Sequence, residues 1–273
     1  MTRPATRPAT QPATRTVTCT LFDGQRLTVV RPEIVGDALC RDGRIEPALT
    51  RVLLDHLRPG DVFVDVGAQY GYFTVLAARA VGPTGRVVAF EPGRRTLPLL
   101  ARNVAGRANV VVEPCAVHAG PGTAELHDFG PEYSALNTVL AGARVPAHER
   151  ARLRAHTYPV PTVALDGYCA THDLHPDMVK IDAEGAETSI LRGMARILRE
   201  GAPLVAVEAG DYEGMASPPT AESIDLMEAM GYRCFDHDGR GMRPHERRRT
   251  YGYGNLFFLK DPGTGGRPGP RSG

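Results

Sequence analysis

Three carboxylates close apolar runs in this chain: Asp65 in VFVDVG, Glu91 in VVAFEP and Asp182 in VKIDAEG. Asp65 is followed by Gly67-Ala68-Gln69-Tyr70-Gly71, after which a helical pattern starts. Glycine lets a backbone take unusual torsions and approach a ligand closely. A helix start adds unpaired N–H groups and the positive end of a dipole, which favour an anion. The fingerprint for dinucleotides is G-x-G-x-x-G. Here Ala68 and Gln69 stand where a diphosphate wants glycine. The looser loop suits a ligand with a nucleoside and a carboxylate but no diphosphate, and S-adenosylmethionine fits that description. Glu91, with Pro92 after it, sits where an acid accepts hydrogen bonds from both ribose hydroxyls. Asp65 either faces the ligand's ammonium group or caps the helix. Tyr70 is expected at the pocket mouth and Phe73 in the core. Cys115-Ala116 either line an adenine pocket or form a small-residue bend.

Positioning these groups requires strands that end together. The sequence reads as an N-terminal hairpin over 16–30 around Asp23-Gly24, then a helix over 47–57. Strands are expected at 62–66, 86–91, 110–113, 177–182, 204–208, 232–235 and 255–259. Helices at 71–81, 94–105, 184–199 and 220–230 alternate with them. Two more strands, 123–128 and 160–165, flank an inserted polar segment at about 129–159, helical over 146–155. Repeated strand–helix units imply an α/β fold with a doubly wound, mostly parallel sheet, whose ligands bind beyond the strands' carboxyl ends.

Composition narrows the classes. The 273 residues give a formal net charge of +1, so no global field attracts nucleic acid. No apolar run is long enough to span a membrane. Five cysteines, odd in number and never spaced C-x-x-C, argue against a zinc site and a disulfide framework and suit a cytoplasmic protein. Residues 1–15 and 261–273 are low-complexity and read as disordered tails around one domain over 16–260.

VFVDVGAQYGYFT, VVAFEP and MVKIDAEGAE together resemble the FkbM-type S-adenosylmethionine-dependent methyltransferases, a class I family. The resemblance implies a seven-stranded sheet with an antiparallel last strand, and O-methylation of small natural products or sugars. It carries Asp65, Gly67 and Gly71 over as the cofactor loop, Glu91 as the ribose acid, and Asp182 as an acid near the methyl group. Glu184 and Glu187 match the family's EGxE without an assigned role.

Methyl transfer to an alcohol needs a base or metal to take the proton by the transition state. Asp182 and Glu208, at strand ends, are the expected catalytic pair, with Asp182 or Glu208 as base. Both, with Asp211, could hold magnesium, although the spacing does not demand a metal. Asp182 and Glu184 could instead complement a helix dipole. His172–His175 reads as a surface loop, and His127, His148 and His156 lie near the insertion. The basic stretch 239–249 is a solvated loop or a clamp for an acidic acceptor. Rival readings are N- or nucleic-acid methylation, an inactive S-adenosylmethionine-binding module, and a dehydrogenase. Against the first rival, 182–185 reads Asp-Ala-Glu-Gly rather than [DN]-P-P-[YF].

Overall fold

The computed structural model describes residues 13–140, 155–201, 203–211 and 218–260. The expected tails lie outside these residues apart from 13–15, and so does 141–154 of the insertion, with nearly all of its expected helix. Strands β1 (Arg15–Thr20) and β2 (Arg26–Arg31) form the hairpin. Its loop is longer than the two-residue turn expected. Leu21 N–H still donates to the Gln25 carbonyl, and Gly24 takes the left-handed conformation, φ 84°.

Helix α1 (Ile34–Asp42) was missed, although Ile34 and Ala38, and Val35 and Leu39, recur at helical spacing; it is only nine residues long with Gly36 in its first turn. It packs on the hairpin and brings Cys40 to Cys19, Cα–Cα 5.0 Å, where the two are joined as a disulfide. This corrects the reading of the cysteines: two residues 21 apart in sequence become neighbours only through a helix that was missed. Cys115, Cys169 and Cys234 are free and buried.

The alternation then runs α2 (Pro47–His56), β3 (Val62–Val66), α3 (Tyr72–Val81), β4 (Arg86–Phe90), α4 (Leu97–Asn103) and β5 (Val110–Glu113). Short β6 (Ala116–Val117), β7 (Gly122–Asp128) and β8 (His156–Val163) make a separate three-stranded sheet. After α5 (Leu165–Thr171) come β9 (Met178–Ile181), α6 (Glu187–Arg192), α7 (Ala195–Glu200), β10 (Leu204–Ala209), α8 (Thr220–Ala229), β11 (Tyr232–His237), β12 (Met242–Pro244) and β13 (Gly254–Lys260).

The main sheet has eight strands in the order β12-β11-β13-β10-β9-β3-β4-β5. Seven were expected; the eighth, β12, is a three-residue edge pairing with β11. β13 runs antiparallel to both neighbours, as the resemblance implied. The expected helix 184–199 is two helices. Gly193 packs so close to the His118 carbonyl that a Cβ would lie 2.3 Å from it, and the buried Met194 leaves the helical conformation there.

The central strands are apolar on both faces because helices cover both. Phe63, Met178, Leu204 and Ala206 pack with α2, α3 and α4, while Val64, Val179 and Val205 pack with α5 to α8. Side chains alternate along a strand. Asp65, Lys180 and Glu208 therefore fall on the face of Phe63, Met178 and Ala206. The strand order reverses between β3 and β9, and the crevice at that switch point holds the site. Among the described residues no helix is long and apolar enough to cross a membrane.

Candidate active site

The glycine loop after β3 is shaped first by its protein neighbours. A Cβ on Gly67 would lie 1.8 Å from the Asp182 carbonyl oxygen, and φ there is 74°. What approaches this backbone so closely is the end of β9. Gly71, φ 85°, caps α3, and its Cβ would meet Leu100 at 2.6 Å.

Beyond the loop lies a cavity of about 950 Å³, in the upper range for small-molecule sites. Gly67, Ala68, Tyr70, Glu91, Pro92, Cys115, Ala116, Asp182 and Glu208 all line it, as expected. Asp65 and Gly71 do not. Three of the four described non-glycine residues with positive φ, Glu46, Gln69 and Glu184, also stand on this wall. Such backbone costs about 1–3 kcal/mol per residue and gathers at functional sites.

Glu91 is buried and hydrogen-bonded to its own loop and to the loop after β3. Its Oε2 accepts from the Gln69 N–H (2.7 Å), and its Oε1 accepts from the Gly93 N–H (2.8 Å) and the Thr96 hydroxyl (2.7 Å). Burial pushes its carboxyl above the usual range, against these three hydrogen bonds. A carboxylate has about four lone-pair positions, so Glu91 retains capacity toward the cavity.

Asp65 is placed differently from the expectation that its carboxylate faces a ligand. It is wholly buried, one layer behind the loop. Its Oδ2 accepts from the Thr74 hydroxyl at 2.6 Å. Its Oδ1 has no aligned hydrogen bond and is balanced by charge, with the Lys180 ammonium 3.2 Å away. The register explains this pair, since Asp65 on β3 lies directly opposite Lys180 on β9. Lys180 also donates to the Gly67 carbonyl (2.8 Å) and lies 3.6 Å from Asp182. Burial alone would lower its pKa, but Asp65, Asp182 and Glu46 together outweigh burial and hold it above the ordinary range. Lys180 thus ties the loop to β9 as a permanent cation.

Tyr70 is buried rather than at the mouth, and its hydroxyl meets Ser134 Oγ at 2.8 Å. Ser134 belongs to a 3-10 segment, Pro131–Leu136, at the start of the expected insertion. Phe73 is buried as expected and also reaches the cavity wall. Cys115 lines the cavity with its thiol pushed up to about 11 by burial, which makes it a neutral, inert surface.

Asp182, Glu184 and Glu208 offer carboxylate oxygens within 4.8 Å of one another, a donor set of the kind hard cations take. Asp211, counted with them in the sequence, is not in this group. Its oxygens accept from the Thr220 and Tyr251 N–H groups. Glu187 turns back to accept from the Ala183 and Gly185 N–H groups, closing the EGxE turn on itself. His127 and His156 are not on the cavity wall, and His148 lies outside the described residues. In the basic stretch, Arg243, Arg247 and Arg248 are paired with Asp238, Asp225, Glu228 and Asp236, as a solvated, self-neutralised loop would be.

Further lining comes from the hairpin and α1, which the sequence did not connect with a site, and from Tyr253 beside the basic stretch, which the sequence offered as a ring to stack on an acceptor. Phe22 from the hairpin loop, Ile34, Val35 and Ala38 from α1, and Tyr253 form an apolar rim with Arg44 and Glu46 beside it. Glu46, half-buried on the cavity wall, was missed altogether. The available signal was an acidic residue directly before the proline that opens a helix.

Residues 65–234 match the family model of the methyltransferase FkbM domain. The chain belongs to this family. The matched span of the FkbM domain holds every expected cofactor and catalytic residue and leaves out the N-terminal rim. Over 160 residues the chain is 28% identical to the hexuronic acid methyltransferase AglP of Haloferax volcanii, covering 58% of this chain and 60% of that protein. Over 99 residues it is 31% identical to protein-L-isoaspartate O-methyltransferase 1 of Arabidopsis thaliana, covering 35% and 43%. The chain therefore spans about half the length of these curated relatives. A solved structure, the methyltransferase FkbM of Methylobacillus flagellatus KT, is 18% identical with a TM-score of 0.44, covering 77% of this chain and 50% of that one.

Proposed function

We propose that this protein is an S-adenosylmethionine-dependent O-methyltransferase acting on a hydroxyl of a small natural product or sugar. The observation that carries this reading is Glu91: a buried acid at the carboxyl end of β4, bonded to the loop after β3 and open to a cavity at the switch point. That is where a ribose is held in doubly wound folds. The residues suit the cofactor. Glu91 takes the ribose hydroxyls, Cys115 and Ala116 offer an inert wall for the adenine, and the loop 67–71 packs against the amino-acid portion. Asp182, on the wall where Asp65 is not, is the carboxylate for the ammonium group.

S-adenosylmethionine supplies an electrophilic methyl group on a sulfonium centre. The protein's part is to align the acceptor oxygen with that group and exclude water. The acidic wall of Asp182, Glu184, Glu208 and Glu46 suits a cationic centre and repels phosphate. That favours a small, non-phosphorylated acceptor over nucleic acid. The name of the archaeal relative, a hexuronic acid methyltransferase, points the same way. The Lys180 ammonium, 3.6 Å from Asp182, brings one positive charge to this wall without a metal. Location in the cytoplasm goes with this reading, since the donor is an intracellular metabolite.

The test is incubation with S-adenosylmethionine and a library of hydroxylated glycosides and secondary metabolites, read by mass spectrometry. The expected product is one methyl group heavier at an oxygen. Methyl transfer to tRNA or DNA, or to an amine alone, would replace this reading with one of its rivals.

A further inference from the structure

We propose that Glu46 is the general base that accepts the proton of the acceptor hydroxyl, a role that rests on the methyl-transfer reading. Glu46 stands on the wall of the same cavity as Asp182 and Lys180 and feels the charge of both. It is the N-cap residue of α2, yet its side chain makes no capping bond. A residue there normally turns its side-chain oxygen onto the helix N–H groups. Glu46 instead holds a left-handed backbone, φ 41° and ψ 68°, directly before Pro47. That conformation is costly for a glutamate and persists where the surroundings over-determine it. Its Oε2 is fixed by Asn255 Nδ2 at 2.6 Å, and Oε1 is the oxygen left to take a proton.

Its electrostatic setting suits the task. Burial, then Asp182, raises the Glu46 carboxyl to about 7, while Lys180 and the Asn255 hydrogen bond oppose them. Asp65 on β3 adds to the upward push, and Tyr72 on α3 feels its charge. Glu208 on β10 lies opposite Asn255 in the register, the residue that holds Glu46. A base poised near neutrality gives the best product of ionised fraction and proton affinity. Asp182, expected from sequence as a base, is held against the Lys180 ammonium at 3.6 Å.

The step balances. The acceptor oxygen forms the new bond to the methyl carbon, and the carbon–sulfur bond breaks with its electron pair going to sulfur. The hydroxyl proton passes to the Glu46 carboxylate. A sulfonium and a carboxylate become a neutral thioether and a neutral acid, and the acid returns its proton to water.

The experiment compares wild type, Glu46→Gln and Glu46→Asp. S-adenosylhomocysteine affinity is read by calorimetry, and transfer of tritiated methyl from S-adenosylmethionine into a small-molecule extract of the source cells is read from pH 5.5 to 9. Wild type is expected to rise through pH 7. Glu46→Gln is expected to bind within threefold of wild type but transfer at least about 100-fold more slowly, with a flat profile. Glu46→Asp is expected to recover part of the rate and the rising limb. Glu46→Gln within threefold of wild-type transfer overturns the role of Glu46 and leaves methyl transfer standing. Wild type that binds but labels nothing overturns methyl transfer itself. Should Glu46→Gln fail to fold, Asn255→Ala decides: the limb moves to higher pH because the carboxylate loses its donor, and an unmoved limb overturns the assignment.

Discussion

Lys180→Met removes one ammonium and keeps most of the side chain's volume, so its effect reports charge. Lys180 is buried between Asp65 at 3.2 Å and Asp182 at 3.6 Å, and it donates to the Gly67 carbonyl at 2.8 Å. Without it, Asp65 keeps only the Thr74 hydroxyl, and its Oδ1 is left charged in an apolar layer. Breaking a buried pair from one side costs about 3–5 kcal/mol. For a domain of this size that corresponds to roughly 6–10 °C in thermal midpoint. Asp65→Asn in the same chain removes the stranded charge, and the double variant should recover all but about 1–2 kcal/mol of stability. Urea unfolding of wild type, both single variants and the double variant closes the cycle. A loss below about 1 kcal/mol for Lys180→Met, or a double variant equal to the sum of the singles, would refute the argument that Lys180 compensates Asp65.

Other outcomes follow from the same geometry. Gly67→Ala places a Cβ 1.8 Å from the Asp182 carbonyl, so the loop must shift by more than an ångström, and S-adenosylhomocysteine affinity should fall at least about tenfold by calorimetry. Glu33, buried before α1 with Oε1 unpartnered, has its carboxyl raised to about 7 chiefly by burial. The folded state thus binds its proton more tightly than the unfolded chain, and stability is lost as pH rises from about 4.5 to about 7. Glu33→Gln should flatten that slope and add up to about 3 kcal/mol above pH 7, seen as a higher thermal midpoint at pH 8 but not at pH 4.5. Exhaustive chelation should leave methyl transfer unchanged, because the proposed proton transfer to Glu46 calls on no metal; loss restored by magnesium would assign Asp182, Glu184 and Glu208 to a metal instead.

The parallel core was readable because fully covered strands are apolar throughout, and VFVDV, RVVAF and LVAVE stand out between helical patterns. Glu91 was readable for the same reason, as an acid closing such a run. What escaped depended on contacts between distant segments. Asp65 looked like a ligand group because an acid at a strand end is costly alone; only the pairing of β3 with β9 reveals Lys180 opposite it. The lysine within MVKI was the visible sign, a charge inside a four-residue buried strand. The disulfide and the strained Glu46 leave no local pattern, because the packing of separate segments fixes them, whereas α1 did carry helical spacing, over only nine residues. The break at Gly193 is of the same kind, set by the His118 backbone against it.

The account depends most directly on Glu91 holding a nucleoside in this cavity, and calorimetric titration with S-adenosylhomocysteine tests that. Saturable one-to-one binding to wild type, weakened at least about tenfold in a folded Glu91→Gln variant, is the expected result. No binding to wild type, or equal affinity in the two proteins, would contradict it.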